Sequence, residues 1–183
     1  MRISWSTPLL AAGRTLSLRG SPGGVTFNSV AENVVGIDLG VTWEPNAPEA
    51  WLVSDDNGRA ALALKAHRDD PDRRCVVLIW SGVHSSWMAD PNDEALSGHR
   101  LYSRGLREVL WAGVVRESDS VRALERQNRV HPSHDPSRFA RLIHYVIPLK
   151  ECVVEVIASA VAVQRVAGTT LDALTTAMGA DRP

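Results

Sequence analysis

Short apolar runs separated by polar turns fill the first half of the chain and predict β-strands. Residues 34–39 are rich in β-branched side chains, and two strand-like runs flank Asn57-Gly58 within residues 51–64. Asn-Gly between two strands predicts a type I′ hairpin, because both central residues of that turn need a positive φ. Residues 75–80 are apolar throughout, which is typical of a strand covered on both faces. These runs predict an antiparallel meander.

The middle of the chain alternates polar loops with periodic segments. Residues 90–102 and 131–136 combine Pro with polar residues and predict loops, since Pro disfavours helix interiors and central strands. Ser118-Asp119-Ser120 precedes the amphipathic residues 121–128, a pattern that predicts an N-capped helix. The apolar side chains of residues 108–115 fit both a strand and a helix, and both alternatives stay open.

The last third predicts two strands and a short helix. Residues 142–149 and 153–166 are apolar, and Lys150-Glu151 marks the turn between them. Alanines in the second run leave a buried helix open, but seven of its fourteen residues are Val or Ile, which favours a strand. Residues 171–178 follow as a helix behind Thr169-Thr170.

Together with a short strand at residues 25–27, these elements predict one α+β domain over residues 1–183. Its simplest architecture is a curled antiparallel sheet with two or three helices, and a barrel-like sheet is one alternative. Residues 1–20 are a loosely attached N-terminal segment in one version of this prediction.

The composition excludes several classes of protein. Apolar residues make up 44% and the net charge is −1, so neither disorder nor a nucleic-acid-binding surface is expected. No run reaches the roughly 18 apolar residues of a membrane span, and the N-terminal apolar patch is too short for a secretory signal. We therefore expect a cytoplasmic protein with Cys75 and Cys152 reduced. The chain has no phosphate-binding loop, dinucleotide fingerprint or G-x-S-x-G motif, and we expect no cofactor.

The loop before Tyr102 contains the first candidates for acid–base chemistry. Asp93, Glu94 and His99 lie within seven residues, and imidazole or a desolvated carboxyl group can exchange protons near neutral pH. We assign Glu94 as a base, His99 as an acid or orienting group, Tyr102 as a donor to a developing oxyanion and Asp93 as a support. The alternative is structural: Asn92 or Asp93 caps a turn, and His99 bonds a neighbouring carbonyl.

Glu155 is the second candidate base, because it lies inside an apolar run. A buried carboxylate costs several kcal/mol unless it is paired, so such a residue usually has a partner or a role. His144, on the preceding strand, is a candidate neighbour and support. Arg100 is a candidate for an anionic substrate, and Trp111 for an aromatic wall of a binding site. The alternatives are an exposed edge position for Glu155, a solvated surface for Arg100 and a core position for Trp111.

The motif His131-x-x-His134 supplies two potential metal ligands in a Pro-containing loop. A complete site needs further ligands from elsewhere in the fold, so we expect no metal and keep these histidines as the alternative.

Residues 91–102, followed by Gly105-Leu106, resemble a small family of uncharacterised actinobacterial and fungal proteins. Residues 142–147 and Glu155 are similar to the family's C-terminal block, and scattered patches extend the likeness over residues 48–160. The family's His-Asp-Ser-Thr-Phe before the glutamate is replaced by residues 150–154. The resemblance implies no particular reaction.

Two functions follow from these observations. The first is a small metabolic enzyme, namely a lyase, isomerase or hydrolase, that performs acid–base chemistry on a small molecule. The second is a non-catalytic binding or accessory protein that acts through an exposed sheet edge or a Trp-containing patch, as a homodimer or with a protein partner.

Overall fold

Two antiparallel sheets packed face to face form the centre of the molecule, for which the computed structural model describes residues 31–179. The strands are β1 Asn33–Ile37, β2 Trp51–Ser54, β3 Arg59–Leu64, β4 Cys75–Ser81, β5 Ser85–Ala89, β6 Ala112–Arg116, β7 Ile143–Pro148, β8 Val153–Ala158 and β9 Ala160–Val166. The helices are α1 Asp119–Asn128, α2 Pro136–Ala140 and α3 Thr170–Gly179, with 3₁₀ turns at Leu96–Gly98, Tyr102–Arg104 and Leu106–Glu108.

The strand order confirms the α+β class and the predicted meander. One sheet has the order β1-β6-β7-β8-β5, and the other has the order β2-β3-β4-β9. The meander runs from β2 through β3 to β4, all antiparallel. Within residues 31–179 the strands form two open antiparallel sheets where the simplest architecture has one, and neither sheet closes into a barrel.

Alternation along the strands explains the layers. In β3, Leu62 and Leu64 face the other sheet, whereas Ala61 and Ala63 face outward. The core between the sheets is built from fully or nearly fully buried side chains, which include Leu62, Leu78, Trp80, Tyr145, Ile147 and Val156. Burial of such side chains stabilises each by about 1.5–3 kcal/mol relative to exposure.

Each sheet also has a covered outer face. Helix α3 packs its Leu174 side chain on the outer face of the four-stranded sheet. The segment with the 3₁₀ turns covers the five-stranded sheet through Leu101 and Leu106. Gly105 permits this close approach, because its φ is +112° and a Cβ there would lie 2.5 Å from the carbonyl oxygen of Val34. The outer face of the five-stranded sheet carries Glu155.

Several local predictions are confirmed with corrections. The hairpin at β2 and β3 forms, but the type I′ turn is wrong because only Gly58 of the Asn-Gly pair has a positive φ, +74°. The amide of Asp55 instead donates to the carbonyl of Arg59, 3.0 Å away, which closes a three-residue loop with Gly58 in the left-handed region.

The predicted strand at residues 153–166 is two strands. The chain leaves one sheet at the end of β8 and enters the other at β9, with Ser159 between them. The predicted loop at residues 131–136 ends in α2, whose first residue is Pro136; Pro fits the first helical position because the amide there has no partner within the helix. Residues 108–115, left open between strand and helix, end in β6.

Both helix caps that the sequence predicts are present. The Ser118 hydroxyl accepts the Val121 amide at the start of α1, and the Thr169 hydroxyl accepts the Asp172 amide at the start of α3. The predicted strand at residues 25–27 and the segment 1–20 lie outside the described residues. None of the helices in residues 31–179 has the length and hydrophobicity that crossing a membrane requires.

Candidate functional site

The Glu155 carboxylate is buried on the outer face of the five-stranded sheet. Its strand, β8, lies between β5 and β7, where Glu155 is paired with Trp87 on one side and Val146 on the other. Only 2% of the residue is exposed. The exposed-edge alternative for Glu155 is therefore wrong, and the carboxylate needs partners inside the protein.

Three side chains supply those partners. Oε2 of Glu155 lies 2.6 Å from Nη2 of Arg100 and 2.7 Å from Nε2 of His144, and Oε1 lies 3.3 Å from Nε2 of His99. Nε2 of His144 is fully buried, and its contact with the Glu155 carboxylate does not have the geometry of a regular hydrogen bond. Burial raises the pKa of Glu155, but His144, Arg100 and His99 together outweigh burial and hold it below the usual 4.5.

His144 connects this carboxylate to a serine at a strand-to-helix turn. Nδ1 of His144 lies 2.8 Å from Oγ of Ser118. Ser118 follows β6 and caps α1, and Glu117 between them adopts a left-handed φ of +49°. Since Oγ of Ser118 already accepts the Val121 amide, 3.1 Å away, its own hydrogen is available to donate to Nδ1. This pattern places a hydrogen of the His144 ring on Nε2, on the side of Glu155.

Arg100 holds two buried carboxylates at once. Its Nη1 lies 3.0 Å from Oε2 of Glu32, while its Nη2 contacts Glu155. The other carboxylate oxygen of Glu32 accepts the Asp119 amide at the start of α1, 3.0 Å away. Arg104 adds a second positive charge 3.9 Å from Glu32. Two arginines therefore balance two buried glutamates, and Arg100 ties the covering segment to both β8 and α1.

His99 is held at both ring nitrogens. Its Nδ1 accepts the amide of Leu101, 3.2 Å away, and its Nε2 faces Glu155. Neither nitrogen is left for a substrate, so in this arrangement His99 orients the carboxylate. The alternative in which His99 bonds a neighbouring carbonyl is replaced by this amide contact.

Ser118, the hydrogen-bond partner of His144, lines a cavity. The cavity has a volume of about 670 Å³ and is formed by the end of β6, the start of β7, α1 and α2. Volumes of roughly 300–1,000 Å³ are typical of small-molecule sites. Ser118 itself is 6% exposed, and Glu155, His99 and Arg100 do not line this cavity.

The other residues of the predicted acid–base loop lie apart from Glu155. Glu94 is exposed, and Asp93 forms an ion pair with Lys150, 3.0 Å away. Tyr102 is half-buried, and its hydroxyl makes no hydrogen bond to any residue in 31–179. Asn92 accepts the amide of Ala95, as the structural alternative for this loop expects. The structure thus brings His99 to Glu155 and leaves Glu94 and Asp93 at the surface.

Trp111 and the paired histidines also lie elsewhere. Trp111 packs edge-on against Trp43 at the margin of the core, with ring centroids 5.4 Å apart. The imidazole of His134 bonds Glu125 and Asn128, each at 3.0 Å. In the described part of the chain, no three His, Cys, Asp or Glu side chains converge as a metal site would need. Cys75 and Cys152 are free thiols.

Three residues of the site were missed in the sequence. Ser118 was interpreted only as a helix cap, although its place between a strand and a helix is the place where hydrolases expose a serine. Trp87, whose ring centroid lies 5.8 Å from that of His144, had only its aromatic character as a signal. Glu32 had no signal, because nothing in its local sequence predicts that Arg100 reaches it.

Comparisons of the chain with protein-family models, with curated proteins and with solved structures give no match. The chemistry of the site is therefore argued from its own geometry.

Proposed function

We propose that this protein is a hydrolase that cleaves an ester of a small molecule, with Ser118 as nucleophile, His144 as general base and Glu155 as the carboxylate that stabilises the charged imidazole. The observation that carries the proposal is the line of contacts from the cavity wall through Ser118 and His144 to Glu155, at 2.8 Å and 2.7 Å. A hydroxyl, an imidazole and a carboxylate in this spatial order are the elements of a catalytic triad. Here Nδ1 of the histidine faces the serine and Nε2 faces the carboxylate, the reverse of the arrangement in chymotrypsin-like proteases.

The contacts favour Ser118 over the other candidates as the group that meets substrate. His99 uses both ring nitrogens within the protein, and Glu155 is sealed beneath Arg100 and the two imidazoles. Of the residues joined to Glu155 through His144, Ser118 is the one that lines the cavity. Proton transfer at the cavity therefore has to pass through its hydroxyl.

The reaction divides into two steps that share one base. Oγ of Ser118 attacks the ester carbonyl carbon, its proton moves to Nδ1 of His144, and the carbonyl oxygen becomes an oxyanion. The C–O bond to the alcohol then breaks, and the alcohol leaves with the proton from His144, which gives an acyl-serine. Water, deprotonated by His144, releases the acid and restores Ser118. The Glu155 carboxylate stabilises the imidazolium in both steps.

The start of α1 favours negative charge at this place. The first amides of a helix have no partner within the helix, and its dipole is positive there. The Asp119 amide donates to Glu32 and the Val121 amide to Ser118, whereas the Ser120 amide makes no hydrogen bond to any other described residue. We assign the Ser120 amide as a donor to the oxyanion.

A covalent probe tests the proposal without knowledge of the substrate. A fluorophosphonate reacts with an activated serine, which displaces fluoride and forms a phosphonyl ester. We expect labelling of Ser118, located by mass spectrometry of the digested protein. Ser118→Gly should remove the label. Gly in place of a serine N-cap costs only a few tenths of a kcal/mol, and the unpaired Nδ1 of buried His144 adds about 1–3 kcal/mol, so circular dichroism has to show that the variant is folded. His144→Gln should slow labelling by at least about 10²-fold.

Ser103→Ala is the matched control, since Ser103 is an exposed serine in a 3₁₀ turn and belongs to no part of the site. Its labelling and its hydrolysis of p-nitrophenyl esters should equal those of the wild type. Labelling that spreads over several serines, or that His144→Gln does not slow, contradicts the proposal.

A second candidate function is a binding protein that acts as a homodimer, and the edge of the four-stranded sheet favours it. Strand β2 is an edge strand, and its Trp51 and Val53 are 49% and 41% exposed. An unpaired edge with exposed apolar side chains can pair with the same strand of a second copy. Sedimentation equilibrium should then give a dimer, and Val53→Lys should give a monomer. A wild-type protein that is monomeric at 100 μM excludes this candidate.

A further inference from the structure

We propose that the 670 Å³ cavity beside Ser118 selects substrates that combine an apolar chain with an anionic group. This inference rests on the proposed hydrolase for the reaction of the bound molecule, but the binding chemistry of the cavity depends on separate residues. The cavity walls, their charge balance and the Tyr145 hydroxyl point to this class of ligand.

Most of the wall is apolar. Eight of the thirteen residues that line the cavity have hydrocarbon side chains, among them Val121, Phe139, Leu142 and Ile143. Ile143, at the start of β7, is 38% exposed. An apolar ligand chain would remove this surface from water, which is favourable by about 25 cal/mol for each Å² buried.

One positively charged side chain at the cavity has no ion-pair partner among the described residues. Arg122 is paired with Glu117, 3.4 Å away, and with Asp119, 2.7 Å away. Arg116 also lines the cavity, and it forms no ion pair with any residue in 31–179. With two arginines and one glutamate among its lining residues, the cavity wall has a net charge of +1. A guanidinium without a partner is suited to a carboxylate, a sulfate or a phosphate.

Tyr145 adds a hydroxyl that lacks a partner among the described residues. The residue is 5% exposed, lines the cavity and makes no hydrogen bond to another described residue. Burial raises the pKa of this phenol, so the hydroxyl stays protonated as a donor. A polar atom of a ligand in the cavity would supply a hydrogen-bond partner for this hydroxyl.

A matched pair of ligands tests the inference. Octanoate and 1-octanol have the same chain length and differ in charge, and isothermal titration calorimetry can measure both on the Ser118→Gly variant. We expect octanoate to bind more tightly than octanol. Adding Arg116→Gln should weaken octanoate about tenfold, the loss of one charge-assisted contact, and leave octanol unchanged. Adding Tyr145→Phe should weaken both ligands.

Arg107→Gln is the control, because Arg107 is an exposed arginine paired with Glu108 and does not line the cavity. It should leave both affinities unchanged. Equal binding of octanoate and octanol, or no effect of Arg116→Gln, overturns the inference even if Ser118 reacts with a fluorophosphonate. Selective octanoate binding without any reaction at Ser118 overturns the proposed hydrolase and leaves the inference standing.

Discussion

The two outer faces of the sandwich are covered in opposite ways. On the four-stranded sheet, the buried contact with α3 is apolar and small side chains dominate it: Ala61, Ala63, Ala173 and Ala177 around Leu174 and Val77. A polar contact lies at its margin, where Nη2 of Arg59 donates to the Ala177 carbonyl, 3.1 Å away. On the five-stranded sheet, apolar contacts from Leu101 and Leu106 surround a group of buried polar residues: Glu32, Ser118, His144 and Glu155. Four of the five buried polar or charged residues in the described chain belong to this second face, and Thr170 is the other.

This difference between the two faces distinguishes side chains that the fold requires from side chains that it does not require. Helix α3 shows that a sheet face of this protein can be covered without a buried charged side chain. Burying charged groups costs several kcal/mol each before pairing offsets it, and a well-packed apolar replacement is often as stable. The polar group around Glu155 is therefore not needed to cover a sheet, which favours a chemical role for it.

The largest effect is expected from Glu155→Gln. The side chain keeps nearly the same volume, but the charge that stabilises an imidazolium at His144 is lost. We expect the rate of fluorophosphonate labelling at Ser118 to fall by about 10³- to 10⁴-fold. Arg100 also loses one of its two carboxylates, so the free energy of unfolding should fall by about 2–4 kcal/mol in urea titrations. A variant that is destabilised but labels at the wild-type rate makes Glu155 purely structural.

Leu174→Ala is the equivalent test of the apolar face, with the same two measurements of stability and labelling rate. Leu174 is nearly fully buried beneath α3, and removing its side chain leaves a cavity, so the free energy of unfolding should fall by about 2–4 kcal/mol. Labelling of Ser118, measured under conditions where the variant remains folded, should not change. If Leu174→Ala slowed labelling as much as Glu155→Gln does, the two faces would not be functionally distinct.

The stability of the two faces should respond differently to acid, because only one of them contains Glu155. Because this pKa lies below 4.5 in the folded protein, the unfolded chain takes up the proton first as the pH falls. The stabilisation from ionised Glu155 is complete above the unfolded value and is lost as the pH falls through the folded one. Urea titrations from pH 7 to pH 3 should show a shallower loss of stability for Glu155→Gln than for the wild type.

Leu174→Ala is the control for this pH series, since it should lower stability equally at every pH. Asp72, whose pKa is held at about 2 by its hydrogen bonds to Arg74, contributes the same acid dependence to all three proteins. A Glu155→Gln curve that runs parallel to the wild type would mean that Glu155 gains no stabilisation from its charge.

Local patterns predicted most of the elements because their causes are local. The apolar run of β4, the hairpin signal at Gly58 and the caps at Ser118 and Thr169 depend on neighbours in sequence. The division between β8 and β9 was missed because no Gly or Pro interrupts the Val-rich run. The burial pattern does mark it, since β8 is buried throughout while β9 alternates between partly buried and exposed residues.

The site could be predicted only for residues that lie on adjacent strands of one sheet. His144 was expected near Glu155 because adjacent strands place them on one face, and the two lie 2.7 Å apart. Glu94 and His99 are five residues apart in sequence, yet only His99 reaches Glu155, because the path of the 3₁₀ turns decides which side chain faces the sheet. That path depends on the tertiary contacts of Leu101 and Leu106, which no local pattern encodes.

The smallest expected effects on stability come from the two helix caps, of which only Ser118 also affects reactivity. Thr169→Ala removes the hydroxyl that caps α3, and should lower the free energy of unfolding by about 1 kcal/mol with no change in labelling at Ser118. Ser118→Gly should lower it by about 1–3 kcal/mol, mainly because Nδ1 of buried His144 loses its partner, and should remove the labelling altogether. Thermal unfolding of both variants, followed by circular dichroism beside the labelling assay, measures both quantities. If p-nitrophenyl ester hydrolysis survives in folded Ser118→Gly, the Ser118 hydroxyl supports His144 structurally and the two faces differ only in how they are packed.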